Sequence, residues 1–146
     1  MSRRFTLPEA QSLIPSLDPL LRKALELKAE YAEAERAFDS LTQRILIMGG
    51  LVVDREPALR ARHQRNQAGE ALRQAIDKVQ EFGCVIKDLD IGLVDFPTLF
   101  RGREVYLCWK LGEPAIGFWH GMDEGFAGRK AIDQEFRDQH RGDRSH

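Results

Sequence analysis

Apolar residues recur along the first half of the chain with a period that only a helix can use. Leu17, Ala24, Tyr31, Phe38 and Ile45 stand seven residues apart, and Leu20, Leu27, Ala34, Leu41 and Met48 follow each of them by three. Two such rows at this spacing lie side by side on one face of a helix and form a coiled-coil-like seam. Upstream, Thr6-Leu7-Pro8-Glu9 has the spacing of a capping box and predicts a short helix to about Ile14. Pro15 is expected to end it, with Ser16 capping the long helix and Asp18 in its first turn.

Gly49-Gly50 predicts the break, and Glu56-Pro57 suits the start of a second helix from about Pro57 to Phe82. Its apolar face is Ala61, Ala68, Leu72, Ala75, Ile76, Val79 and Phe82, and Gly83 offers a left-handed cap. The short connection makes the helices antiparallel neighbours. Two helices cannot bury so long a seam, and the tip from Ile45 to Val53 is markedly apolar. The expectation is a homo-oligomer, a dimer joined through the hairpin into four helices.

From Cys84 onward the period shortens to two. Cys84–Ile86, Ile91–Phe96, Arg103–Leu111 and Ala115–His120 read as strands of an antiparallel meander. The loop Gly112-Glu113-Pro114 would set Lys110 opposite Ile116, Cys108 opposite Phe118 and Tyr106 opposite His120. Val105, Leu107, Trp109, Leu111 and Trp119 then share the side turned to the helices, and Tyr106, Cys108, Phe118 and His120 share the other. After Ile132, charge, Gln, Gly and Ser dominate. The fold class is therefore α+β: one domain over residues 1–132, helical over 1–83 and a β-meander with a Gly-rich loop over 84–132, trailed by a frayed polar tail at 133–146.

Composition narrows the classes of function. The 146 residues suffice for one self-supporting core, and 42% hydrophobic with 31% charged residues excludes wholesale disorder. A formal net charge of -1 supplies no general attraction to nucleic acid or to an anionic membrane. The basic segment Arg60, Arg62, His63 and Arg65 reads as a solvated face paired with Glu26, Glu30, Glu33 and Glu35. The longest uncharged apolar run is nine residues, Ile45–Val53, against roughly 20 needed to span a bilayer. The amino-terminal pattern lacks the apolar core of a signal peptide. Two cysteines, too few for a disulfide framework, suit a reducing cytoplasm.

Candidate chemistry gathers at the end of the last strand. Trp119, His120, Asp123, Glu124 and Arg129 place an imidazole, two carboxylates and a guanidinium within eleven residues. Asp95 shares strand parity with Ile91 and Leu93 and belongs on the side that carries Tyr106 and His120, because a lone carboxylate is costly in an apolar core. His120, Asp95, Asp123 and Glu124 have the donor types for a divalent metal, zinc or manganese. The plainer reading is a structural imidazole bonded to Tyr106 or Asp95, with Glu124 paired to Arg129. Cys108 near His120 suggests a nucleophile, against the commoner buried and inert thiol. Gly121, Gly125 and Gly128 before Arg129 have the makings of an anion cradle, without the spacing of a phosphate loop.

Lys87–Pro97, Gly102–Pro114, Trp119-His120 and Gly125–Arg129, with the opening Phe5–Ala10, resemble the uncharacterised bacterial domain-of-unknown-function family DUF 2203. The resemblance spans nearly the whole chain. It implies a small bacterial cytoplasmic protein and brings no reaction, cofactor or partner. The leading expectation is a self-associating binding module. Its polar site on the meander, with Asp95, Tyr106, Cys108, Trp119, Glu124 and Arg129, would take a small molecule or a protein. The alternative is a small metal-dependent hydrolase with His120 and Asp95 as ligands and Glu124 as general base.

Overall fold

A computed structural model describes residues 3–48 and 54–143. Helix α1 runs over Leu7–Met48 and α2 over Glu56–Gln80. Six strands follow: β1 (Val85–Asp88), β2 (Leu93–Phe100), β3 (Arg103–Lys110), β4 (Phe118–Gly121), β5 (Lys130–Ala131) and β6 (His140–Arg141). A 3₁₀ turn at Phe126–Gly128 precedes β5, and the short helix α3 (Gln134–Gln139) precedes β6. The α+β reading holds, as a helical hairpin packed on one antiparallel sheet.

The capping box forms as its spacing requires. Thr6 donates its amide to Glu9 Oε1 at 3.0 Å, and Glu9 donates its amide to Thr6 Oγ1 at 3.2 Å. The helix it opens does not stop at Pro15. One uninterrupted helix carries both Pro15 and Pro19. An interior proline costs about 3 kcal/mol through a lost hydrogen bond and a ring clash. Both rings lie on the solvent side, where water can serve the orphaned carbonyls, while Ile14, Leu17 and Leu21 are buried. Burying each of those three is worth about 1.5–3 kcal/mol, enough to match the cost of two prolines.

The apolar rows of α1 are unevenly covered. Leu17, Leu21 and Ala24 are fully buried in the end of α1 that packs on the sheet. Beyond Tyr31 only α2 lies against α1, in antiparallel order. Tyr31 packs on the bare backbone of Gly69, where an added Cβ would sit 3.0 Å from its ring, and Arg65 lies 4.5 Å over the ring of Phe38. Leu46 is 75% and Ile47 is 83% exposed, and Met48 and Leu59 are also open to solvent. The expected break at Gly49-Gly50 and the tip residues Leu51, Val52 and Val53 lie outside the described residues.

Strand order is β1-β2-β3-β4-β5, with β6 on β2. One edge of β2 pairs with β3 along its whole length; the other takes β1 at its start and β6 at its end. Between them the Phe5 amide donates to the carbonyl of Pro97 at 2.7 Å. In an antiparallel ladder the amide and carbonyl of one residue point the same way, so the nitrogen of Pro97 faces this outer edge and β3 loses no hydrogen bond.

The register places Cys108 opposite Phe118 and Tyr106 opposite His120, as the turn predicted. Lys110 and Ile116 are not paired, because β4 starts only at Phe118. The helix-facing side buries Val94, Phe96, Val105, Leu107 and Trp109 against Phe5, Leu17, Leu21 and Val79.

Residues 133–143 correct the expectation of a frayed tail. Asp133 caps α3 by accepting the Phe136 amide at 2.8 Å. Phe136 is buried, its ring 4.7 Å from Phe100 and 4.9 Å from Trp119. One buried aromatic among charged residues is enough to seat the segment. Residues 144–146 lie outside the described residues.

Candidate functional site

The sheet side turned away from the helices carries Asp95 on β2, Cys108 on β3 and His120 on β4. Alternation along each strand puts all three on this side. It is closed to solvent: Asp95 is 1%, Cys108 0% and His120 1% exposed. Cover comes from the chain after β4, where Arg129 stacks 3.8 Å over Phe118 and 4.7 Å from Phe126. Glu113 holds Arg129 at 2.6 Å and also accepts the Lys110 amide, so the turn between β3 and β4 fixes the cover. Tyr106 lies beside the imidazole of His120, ring centroids 5.5 Å apart.

His120 is bound through both nitrogens. Nδ1 is 2.8 Å from the carbonyl of Gly121, and Nε2 is 2.9 Å from Asp95 Oδ1. The donor atoms of Asp95, Cys108 and His120 lie within 4.8 Å of one another. Burial pushes the Cys108 thiol up to about 12, and Asp95 adds to this by its charge and by accepting a hydrogen bond from the thiol. The other thiol, Cys84, is also buried and is pushed up to about 11.

This geometry does not activate Cys108 as a nucleophile. A thiol–imidazole pair needs the carboxylate on one ring nitrogen and the thiol on the other. Here a backbone carbonyl holds Nδ1, Asp95 occupies Nε2, and the thiol is pushed away from ionisation.

The other sequence candidates are distributed elsewhere. Glu124 accepts the Gly121 amide at 2.9 Å and pairs with Lys130 at 2.6 Å, and these bonds hold its carboxyl below the usual range. Its partner is therefore Lys130, while Arg129 belongs to Glu113. Asp123 is exposed. Neither Asp123 nor Glu124 joins Asp95 and His120 as a metal set among the described residues; Cys108 takes that place. Trp119 faces the helix side, in contact with Phe100 and Phe136. The glycine cradle is occupied internally: the Gly121 amide goes to Glu124 and the Gly128 amide to the Gly125 carbonyl. Arg60 pairs with Glu56 on its own helix rather than with the glutamates of α1.

An open cleft of about 900 Å³ lies at the other end of β3 and β4, walled by Arg103, Glu104, Trp119, Asp123, Glu124 and Lys130 among others. Arg103 and Lys130 escaped the sequence reading. Each reads in sequence as an ordinary charge at the start of a strand, and only the pairing of β5 with β4 brings Lys130 over Trp119, at 4.7 Å.

The family described as "Uncharacterized conserved protein (DUF2203)" matches residues 3–132. The chain belongs to this family. The match takes in both long helices, β1 to β5 and the buried Asp95, Cys108 and His120, and ends before α3 and β6. No curated protein and no solved structure matches the chain. Among the described residues no helix is long and apolar enough to cross a membrane.

Proposed function

We propose that this chain is a non-enzymatic, self-associating binding module. Two copies join through the distal half of the helical hairpin, and the sheet remains free to receive a small molecule or a protein. The observation that carries this reading is the strip Leu46, Ile47, Met48 and Leu59, exposed beside a seam that α2 only half covers. Clustered exposed aliphatics of this kind mark a surface that is covered in use. Leu46 and Ile47 fall between the two heptad rows, so a second hairpin tip laid against the flank of this one removes them from water.

The cleft beside Trp119 offers charges of both signs around one aromatic face, a recognition surface without an activated nucleophile. The two free, buried thiols suit a reducing compartment such as a bacterial cytoplasm.

Light scattering at micromolar concentration tests the association. The wild-type chain is expected at twice its formula mass with a melting temperature that rises with concentration, and Ile47→Glu with Leu46→Glu at the mass of one chain with unchanged helix content by circular dichroism. A wild-type monomer at every concentration would refute it.

The second reading is a metal-dependent hydrolase, favoured by the Asp95, Cys108 and His120 cluster. It meets an obstacle in burial, because catalytic metals keep a position open to substrate. It also loses its base, since Glu124 is bound to Lys130. Hydrolysis of activated esters or phosphoesters that disappears in His120→Ala would restore it.

A further inference from the structure

Two histidines in this fold make the same bond through Nδ1 and opposite bonds through Nε2. His140 Nδ1 meets the carbonyl of Phe136 at 2.9 Å, and its Nε2 accepts the Leu7 amide at 2.8 Å. A neutral ring with its proton on Nδ1 satisfies both contacts. His120 Nδ1 likewise meets a carbonyl, that of Gly121, but its Nε2 faces Asp95 Oδ1, an acceptor.

A carbonyl can only accept, so the single proton of a neutral His120 belongs on Nδ1. That leaves a bare lone pair on Nε2 pointing at a carboxylate 2.9 Å away, with both groups almost wholly buried. Two lone pairs do not hold each other at that distance. Something positive must sit between them, either a proton carried by the ring or by the carboxyl, or a metal ion.

We propose that a zinc ion fills this position, bound by Nε2 of His120, the thiolate of Cys108 and the carboxylate of Asp95. All three donor atoms lie within 4.8 Å of one another, one each from adjoining strands β2, β3 and β4. Zinc at its usual bond lengths holds N and O donors about 3.3 Å apart in a tetrahedron, so the pair need only part by a few tenths of an ångström. Metal-bound imidazoles characteristically give their other N–H to a carbonyl or carboxylate, as His120 does to Gly121. A thiolate beside an imidazole selects zinc over manganese, calcium or magnesium, which favour all-oxygen shells. Binding displaces the thiol proton to solvent, together with any proton on Nε2. Three protein donors leave one tetrahedral position for a water, and burial closes that position to substrate, so the ion would act as a clasp across three strands under the Arg129 cover.

The test uses untagged full-length protein, zinc ion and cobalt(II) ion as probes. Elemental analysis of the protein as purified is expected to give one zinc per chain, and zinc returned to chelator-stripped protein at a hundredfold above its dissociation constant to raise the melting temperature by about 5–10 °C. Cobalt should produce a near-ultraviolet thiolate-to-metal charge-transfer band. Cys84→Ser should keep the band, and Cys108→Ser should lose it and weaken zinc binding by more than the roughly 10–100-fold seen when only an outer partner is removed. The wild-type band and stoichiometry stand as a test even if Cys108→Ser fails to fold. With the stripped protein, a featureless cobalt spectrum, an unmoved melting curve, or nitrogen NMR showing both His120 nitrogens protonated with zinc in excess would overturn the proposal in favour of a buried hydrogen bond between the His120 ring and the Asp95 carboxyl. This outcome is independent of whether the hairpin self-associates.

Discussion

Leu7, the first residue of α1, donates its backbone N–H to Nε2 of His140 at 2.8 Å, joining the two ends of the described chain. The amides of a helix's first turn have no partner within the helix, and this one is served from 133 residues away. The same segment is held by Thr98 Oγ1 donating to the Arg141 carbonyl and by the Asp143 amide donating to the Arg4 carbonyl. His140→Ala should cost about 1–2 kcal/mol, read by urea denaturation, and should speed hydrogen exchange at the Leu7 amide. Phe136→Ala, which removes the ring packed against both Phe100 and Trp119, should cost about 3–5 kcal/mol. Unchanged stability in both variants would mean that residues 133–143 do not dock as described.

The capping box gives a pH-dependent contribution of known sign. The Thr6 amide holds the Glu9 carboxyl below its ordinary range, aided by the Thr6 hydroxyl and Arg3 and opposed by burial. A carboxyl whose folded value is depressed adds stability above its unfolded value of 4.5, and the contribution fades as pH falls through the folded value. Glu9→Gln should therefore be less stable than wild type near pH 7, with the gap narrowing in acid. Thr6→Ala should lose about 1 kcal/mol at neutral pH. A gap between Glu9→Gln and wild type that widens on acidification would contradict the sign.

In metal-free protein both thiols should be silent in the native state. Cys108 is pushed up to about 12 and Cys84 to about 11, burial being the leading cause for each. Only the thiolate reacts with disulfide reagents or alkylating agents. At pH 7.5 a colorimetric thiol count is expected to give none in the fast phase and two after unfolding. A fast equivalent that vanishes in Cys108→Ser would reopen the question of a nucleophile.

The parts legible in the sequence are those with short, repeated spacing. The heptad rows locate the hairpin, and the Gly112-Glu113-Pro114 turn fixes Tyr106 opposite His120. Pro15 misleads because the local cost of a proline is visible in sequence, while the burial of Ile14, Leu17 and Leu21 that offsets it is not. The tail misleads because average polarity hides Phe136, a single anchor. The candidate site was half visible. Strand parity puts Asp95, Cys108 and His120 on one side, yet proximity in sequence attached Asp123 and Glu124 to His120. Choosing Cys108 instead needs the order of β2, β3 and β4, which brings together residues twelve or more positions apart.

A matched pair of glycine substitutions separates backbone strain from steric conflict in this sheet. Gly92 has φ +67° and Gly102 has φ +75°, both in the left-handed region. At Gly102 an added Cβ meets nothing within 4 Å, so Gly102→Ala should cost only the conformational penalty of about 1–2 kcal/mol. At Gly92 the same atom would sit 2.5 Å from Leu111 Cβ, where the Gly92 carbonyl also accepts the Leu111 amide at 2.9 Å. Neither partner can retreat without breaking that bond, so Gly92→Ala should add a packing cost of about 1–3 kcal/mol to the same conformational penalty. The expected order in urea denaturation is wild type, then Gly102→Ala, then Gly92→Ala. Truncating Leu111 to Gly in the Gly92→Ala background should remove most of the difference between the two alanine variants, once each is compared with its own parent. If Gly92→Ala proved no worse than Gly102→Ala, the close approach of the β1–β2 turn to Leu111 would be wrong.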